Sequence, residues 1–95
     1  MTDDERLKIL KKDLQMLTSS NEDYLRILLD QAKAQIQREG VDLSVGIEGD
    51  MVMIQYAAYL FRKRASGETA MPRFLRLQLN NMKVSQAGRG EKNDL

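Results

Sequence analysis

The sequence contains no histidine, no cysteine and no tryptophan, and Pro72 is its only proline. A chain without cysteine has no disulfide framework and no thiolate metal site. Histidine is the commonest general base near neutral pH and the commonest metal ligand, so its absence argues against acid–base and metal catalysis. We therefore expect a protein that is not an enzyme and that uses no cofactor or metal.

A long apolar run and a basic N-terminus are also missing. The longest apolar stretch, Met51 to Phe61, is broken by Gln55 and would span about 16 Å as a helix, whereas the apolar core of a bilayer is roughly 30 Å thick. The first residues, Met-Thr-Asp-Asp-Glu, are acidic and polar, unlike the basic start of a signal peptide. We expect a protein that is made and used in a cytoplasm, or in a particle assembled there.

Length and composition indicate a single globular domain. The chain has 95 residues, of which 42% are hydrophobic and 31% charged, a balance typical of folded proteins. The scarcity of proline and the many Leu, Met, Ala, Gln, Lys and Arg residues favour helix. A domain of this size buries only roughly two thirds of the surface that its unfolded chain exposes, so a partner surface would add to its stability.

Two helices are predicted in the first half of the chain. Thr2 and Glu5 have the spacing of a capping box, in which each side chain accepts a hydrogen bond from a free backbone N–H. Ser19 and Glu22 form a second capping box before a helix from about residue 20 to Glu39, and Gly40 follows as a left-handed C-cap. The apolar positions of the two helices recur at three- and four-residue spacing: Leu7, Leu10, Leu14 and Leu17, then Leu25, Leu28, Leu29, Ala32 and Ile36.

Within residues 41–50, apolar residues at 41, 43, 45 and 47 alternate with Asp42, Ser44 and Gly46, which is the pattern of a strand. Because no second segment of this kind exists in the chain, we predict an extended connection whose apolar side chains lie under the helices. The alternative is a strand that pairs with a neighbouring copy. Gly46 to Asp50 is predicted to be a turn followed by an N-cap.

The third predicted helix, from about Asp50 to Ala65, is the most apolar of the chain. Between Met51 and Phe61 only Gln55 is polar, and a helix that is apolar on nearly all sides belongs at the centre of a fold. Three cations follow near its C-terminal end, where the helix dipole favours positive charge: Arg62, Lys63 and Arg64.

Pro72 predicts the start of a fourth helix, since proline suits the first helical position, and this helix is expected to continue to about Lys83. After Val84, the residues from Ser85 to Asp94 include no large apolar side chain that could anchor them. The overall prediction is an all-α fold, a small bundle of about four helices around a central apolar helix at about 50–65. It forms a single domain over 1–83, followed by a mobile polar C-terminal tail over 84–95.

Charge is distributed unevenly along the chain. Residues 1–61 carry seven basic and eleven acidic side chains, whereas residues 62–95 carry eight basic and three acidic ones, so a net charge of −4 precedes one of +5. Such a distribution suits an acidic partner or head-to-tail contact between copies, and the alternative is a chance distribution together with a solvated tail. The candidate partner-contact residues are Arg62, Lys63, Arg64, Arg73, Arg76, Arg89 and Lys92.

Tyr56 and Tyr59 lie three residues apart, on nearly one face of the central helix. They could be core aromatics whose hydroxyls reach the surface, or they could contact a neighbouring subunit, because tyrosine is enriched at interfaces. With Phe61 they are the candidate subunit-packing residues.

The basic region also suits nucleic acid, because two helices joined by a short turn could act as a helix-turn-helix. However, the segment Pro72–Met82 has large apolar residues on more than one side and few groups suited to base edges. A small helical DNA-binding or regulatory protein encoded in a prophage is therefore the alternative function.

Several stretches resemble one family of phage proteins. The segments Met53–Arg64, Met71–Arg76 and Leu79–Asn81 closely resemble the head–tail connector (adaptor, or head-completion) family of siphovirus-type phages and prophages. Upstream, Leu28–Ile36 resembles the second helix of that family. The resemblance covers roughly residues 22–82, and its most specific part is Tyr-Ala-Ala-Tyr-Leu with the basic cluster and the later Met-Pro-Arg.

The resemblance implies a non-enzymatic structural protein of the virion. Members of this family are thought to form a dodecameric ring under the portal after DNA packaging. The ring extends the DNA channel and joins the DNA-filled head to the neck or tail. The implied partners are further copies of the chain, the portal protein and a neck or tail-completion protein, with non-specific contact to DNA in the channel and no membrane. The implied location is the virion neck, and the host cytoplasm before assembly.

Overall fold

The computed structural model describes residues 1–15, 21–44, 46–67 and 70–94, and for 88–94 it describes the backbone only. Within these ranges the chain forms four helices and no strand, which confirms the predicted all-α bundle. The helices are α1 (Asp3–Asp13), α2 (Glu22–Arg38), α3 (Ile47–Ser66) and α4 (Arg73–Asp94). α1, α2 and α4 each pack against α3, which is therefore the central helix that the apolar run predicted.

The predicted capping box at the start of α1 is present. The Glu5 N–H donates to the Thr2 hydroxyl at 3.2 Å, and the Thr2 N–H donates to the Glu5 carboxylate at 3.0 Å. The hydrogen bond from the Thr2 backbone lowers the pKa of Glu5. Leu7 and Leu10 of the predicted apolar stripe are buried, whereas Leu17 lies outside the described residues.

α2 begins at Glu22, with Asn21 as its N-cap. Ser19 of the predicted second capping box lies outside the described residues, and the Glu22 carboxylate accepts a hydrogen bond from Lys11 Nζ at 2.8 Å. At the other end the chain turns through Gly40, whose φ of +93° is the left-handed conformation expected of it. Two further backbone hydrogen bonds close this end, from Gly40 N–H to Gln37 and from Val41 N–H to Ile36, which is the pattern of a Schellman motif.

The described part of the connection between α2 and α3 contains no strand and bends at Leu43, where the Asp42 carboxylate accepts hydrogen bonds from the Ser44 N–H at 2.9 Å and the Ser44 hydroxyl at 2.7 Å. Val41 is buried and Leu43 is half-buried, but Ile47 is 71% exposed, so only part of the alternating pattern points inward. Val45 lies outside the described residues. Gly46, with a φ of +77°, is the N-cap of α3, so the helix begins three residues earlier than the predicted start at Asp50.

Gly49 is required by a close approach of two backbones. A Cβ atom at this position would lie 2.5 Å from the Leu43 carbonyl oxygen, a distance that non-bonded atoms do not tolerate. The first turn of α3 can therefore lie directly on the α2–α3 connection only because residue 49 has no side chain.

The core is centred on α3, whose apolar run is buried almost throughout. Its buried apolar side chains are Val52, Met53, Ile54, Tyr56, Ala57, Ala58, Tyr59 and Leu60. Leucines and other apolar residues from the three surrounding helices complete the same cluster. α3 ends at Gly67, where a φ of +74° allows the backbone to leave the helix.

α4 differs from the prediction at both ends. Pro72 immediately precedes the helix, and its carbonyl accepts the hydrogen bond from Arg76 N–H, so proline occupies the N-cap and not the first helical position. The helix continues to Asp94, so its predicted end near Lys83 is wrong. A helix needs no apolar anchor to propagate once it is nucleated, and residues 84–94 contain no proline that would stop it.

None of the helices in the described part of the chain has the length and hydropathy needed to cross a membrane.

Candidate assembly surface

α4 has apolar side chains on two opposite sides. Leu75, Leu79 and Met82 are buried against α3. Phe74, Leu77 and Val84 are 66%, 50% and 74% exposed. The spacing of three and seven residues puts the three exposed side chains on one side of the helix. We call Phe74, Leu77 and Val84 the outer stripe of α4.

A carboxylate on α2 holds α4 in this orientation. The Arg76 guanidinium donates to both oxygens of Glu39, from Nη1 at 2.8 Å and from Nη2 at 3.0 Å. Lys83, two helical turns further along α4 than Arg76, places its Nζ 2.9 Å from Glu39 Oε1. These cations, Arg76 above all, lower the pKa of Glu39 to about 2. Because Arg76 and Lys83 both point at Glu39, the outer stripe faces away from the core.

A second contact anchors α4 beyond the predicted end of the helix. The Asp42 N–H donates to Gln86 Oε1 at 2.7 Å, and Gln86 Nε2 donates to the Asp42 carbonyl at 2.9 Å. Gln86 belongs to the segment predicted to be a mobile tail, and these two hydrogen bonds join it to the α2–α3 connection. Its side-chain amide replaces the apolar anchor that the sequence lacks.

The predicted partner-contact cations fall into separate groups. Lys63 lies over the Tyr59 ring, 5.9 Å from its centroid, and Arg64 donates to Gln31 at 3.3 Å. Arg62 forms an ion pair with Asp13 at 3.3 Å. All three remain exposed at the C-terminal end of α3.

The other four cations of that prediction have different surroundings. Arg73 is exposed at the start of α4, and none of the described side chains forms an ion pair with it. Arg76 is occupied by Glu39 within the same chain, so it is a structural residue of this fold rather than a free cation. The side chains of Arg89 and Lys92 lie outside the described part.

The predicted subunit-packing residues lie within the fold of one copy. Tyr56 and Tyr59 are only 5% and 8% exposed, and their rings meet edge to face with centroids 6.0 Å apart. Burial raises the pKa of the Tyr56 hydroxyl, which donates to Gln35 at 3.4 Å. Phe61 is half-buried, with its ring 6.2 Å from that of Tyr24. The two tyrosines are therefore core aromatics, whereas the outer stripe of α4 is exposed.

A shallow groove borders the first turn of α4. Phe74 and Pro72 form one wall, and Arg62 lies on the other. Gln55 also lines the groove, and its Oε1 atom is buried with no hydrogen-bond partner in the described part of the chain. The sequence pattern identified Gln55 only as an interruption of the apolar run, and nothing in it indicated this neighbourhood.

Asp50 is a buried carboxylate with a structural partner. It is 7% exposed, and Arg6 Nε donates to its Oδ1 at 2.9 Å. The Met1 amino group lies 3.6 Å from Oδ2. The spacing of the sequence predicted a helix-start role for Asp50 and did not predict its pairing with α1. Among the described residues there is no group of three or more acidic side chains arranged to hold a metal ion.

Fold and surface together define a small all-α protein that presents an apolar helix face to solvent. No protein-family model, no curated protein and no solved structure matches this chain.

Proposed function

We propose that this chain is a structural protein of a tailed phage or prophage, which assembles into a ring below the portal and joins the DNA-filled head to the neck or tail. The resemblance of the segments around Tyr56–Arg64 and Met71–Arg76 to head–tail connectors suggests this role. The observation that carries the proposal is the outer stripe of α4, because an aligned set of exposed apolar side chains is typical of a surface that binds another protein.

The size of the chain supports an assembly role. A single core of this size leaves a large fraction of the surface exposed, and burial of the outer stripe against a neighbour would add to stability. α4 has 22 residues and so spans about 33 Å, long enough to reach across a contact with a protein of similar size. An amphipathic helix that lays its apolar side on a partner is a common mode of recognition.

The exposed cations support a partner or channel with negative charge. Lys63, Arg64 and Arg73 lie at the end of α3 and the start of α4. In a ring, symmetry repeats each of these charges once per copy, so a small local excess becomes a strong field around the channel. This fits contact with the portal protein and non-specific contact with DNA that passes through.

The test is assembly on the portal of the same phage or prophage. We expect electrospray mass spectrometry and negative-stain imaging of the mixture to show a ring of this chain added to the portal ring. The variant Leu77→Asp should reduce that density, whereas Lys8→Asp on an exposed site of α1 should not. Intact chain that fails to bind portal, together with particles that acquire tails without it, would contradict the proposal.

A DNA-binding regulator is the second candidate, and the exposed cations are the observation in its favour. It ranks second because the outward side of α4 carries Phe74, Leu77 and Val84, which cannot read base edges by hydrogen bonds. A connector should bind DNA weakly, without sequence preference, and should lose that affinity steeply as salt rises. A stable dimer with one preferred operator sequence would support the regulator instead.

A further inference from the structure

The outward side of α2 carries an exposed apolar residue that lies between two acidic residues. Ile27 is 59% exposed. Asp23 lies four residues before it and Asp30 three residues after it, so all three share one side of the helix, with exposed Ala34 one turn further on. Neither Asp23 nor Asp30 forms an ion pair with another side chain that the structure describes. We call Asp23, Ile27, Asp30 and Ala34 the outer ridge of α2.

The outer ridge of α2 and the outer stripe of α4 are complementary in charge. The stripe begins beside Arg73, an exposed cation, and continues with the polar exposed Asn80 and Asn81 along its edge. The ridge carries two carboxylates with no ion pair among the described residues, the stripe begins beside one such cation, Arg73, and both surfaces have an apolar centre. Opposite charges around apolar centres steer two surfaces together and fix their relative position.

The two surfaces lie on the same chain but face away from its core. α2 and α4 both turn their buried sides toward α3, so their outward sides cannot cover each other within one copy. Contact between the stripe of one copy and the ridge of the next is heterologous, since the two sides of the contact differ. Repetition of a heterologous contact produces a closed ring when the rotation per copy closes, and a filament when it does not.

We propose that the outer stripe of α4 in one copy docks on the outer ridge of α2 in the next copy, with Arg73 facing Asp23 and Asp30. The occupant of the apolar α4 face is thus a second copy of this chain. This deepens the proposed ring function and rests on it. It also provides a role for the exposed charges of the two helices, because Asp23 and Asp30 of α2 meet Arg73 at the start of α4 at every contact around the ring.

Two variants test the two sides of this contact separately. Leu77→Asp places a charge in the apolar centre of the stripe, and Ile27→Asp does the same in the ridge. Because both residues are exposed, circular dichroism should show that both variants fold. In sedimentation velocity at high concentration we expect each variant alone to remain a single copy. An equal mixture should form a species of two copies and nothing larger, because only one intact stripe and one intact ridge remain. Lys8→Asp is the control. It changes the net charge more than either of the other two substitutions do, and it should assemble like the unmodified chain.

Introduced cysteines give a second measurement, which does not depend on strong association. The chain has no cysteine, so a variant with Leu77→Cys and Ile27→Cys carries only those two thiols. With a short bismaleimide cross-linker, this variant should give a ladder of oligomers. Each variant with only one of the two cysteines should remain a single copy on its own, and an equal mixture of the two should stop at two copies. Lys8→Cys paired with Leu77→Cys should give no ladder.

The outcomes separate this contact from the proposed function. Assembly of Ile27→Asp like the unmodified chain, or no ladder from the paired cysteines, would overturn the α4–α2 contact. If rings still formed on the portal in that case, the proposed function would stand without it. If the mixture and ladder results appeared as expected but the chain never bound portal, the contact would stand and the connector function would fail.

Discussion

Arg76 on α4 and Glu39 at the end of α2 form a two-bonded ion pair, with the guanidinium donating to both carboxylate oxygens at 2.8 and 3.0 Å. The planar fork of arginine matches a carboxylate in this geometry, so the pair sets the rotation of α4 as well as its distance from α2. Lys83 contacts the same carboxylate at 2.9 Å. The pair holds α4 in the rotation that buries Leu75, Leu79 and Met82 and leaves the outer stripe exposed.

Stability should fall in acid through Glu39. Its pKa in the folded chain is lowered from 4.5 to about 2. A lowered folded-state pKa contributes stability that is fully present above the unfolded value and is lost as pH falls from about 4.5 toward 2. We expect Glu39→Gln to reduce the free energy of unfolding at neutral pH by about 1–2 kcal/mol, since part of the ion pair is exposed and screened.

Urea unfolding of both chains across this pH range measures the effect of Glu39. The difference in free energy between them should shrink as pH falls toward 2, where Glu39 becomes protonated. A difference that stays constant down to that pH would show that Glu39 is not the group responsible. Asp30→Asn, at an exposed carboxylate with no ion pair among the described residues, is the control and should change stability little.

Truncation of Leu79 should destabilise the chain much more than truncation of Leu77, although the two are only two residues apart on one helix. Leu79 is fully buried, so Leu79→Ala should reduce the free energy of unfolding by about 2–5 kcal/mol through lost burial and a cavity. Leu77 is 50% exposed, so Leu77→Ala should change it by less than about 0.5 kcal/mol. Equal losses in denaturant unfolding would show that the outer stripe is packed within one copy.

Arg6 and Asp50 should be coupled energetically. Arg6→Met leaves the Asp50 carboxylate buried without its nearest cation, and we expect a loss of about 1–3 kcal/mol. The variant Asp50→Asn should also be less stable, because the amide cannot reproduce the charged pair. The double variant should lose less than the sum of the two single losses, and additive losses in this double-mutant cycle would mean that the two residues do not interact.

Gly49→Ala should destabilise the chain, although alanine normally favours a helix over glycine by about 1 kcal/mol. The added Cβ would lie 2.5 Å from the Leu43 carbonyl oxygen, which is backbone and cannot rotate aside. We expect a loss of about 1–3 kcal/mol from the forced shift. Thermal unfolding followed by circular dichroism would measure it, and an increase in midpoint temperature would show that the close approach is absent. Ser85→Ala, at an exposed position of α4, is the control for the helix preference of alanine.

Much of the fold could be predicted from local patterns. The capping box of Thr2 and Glu5, the left-handed Gly40 and the apolar run after Met51 each act over one or two helical turns, and the structure has them as predicted. The end of α4 could not be predicted in this way. The contact between Gln86 and Asp42 joins residues 44 positions apart, and no local pattern indicates it.

The candidate surface shows the same division. The apolar residues of α4 were visible in the sequence, but nothing in their order says which side of the helix is covered. The cation Arg76 was predicted to contact a partner, whereas the structure pairs it with Glu39 and leaves Arg73 exposed. Whether a side chain is already paired within the chain depends on residues that are distant in sequence. The order of residue types does not indicate which of them come together.

By itself the sequence determined that this protein is helical, that its centre is the helix around Tyr56–Leu60, and that its two halves carry opposite charge. These properties follow from composition and from periodicity within single helices, where the interacting groups are close along the chain. Only the tertiary structure decided that Glu39 orients α4, that Tyr56 and Tyr59 are core residues, and that the outer stripe faces solvent. Those outcomes depend on which helix faces meet, and that is settled by packing between residues far apart in sequence.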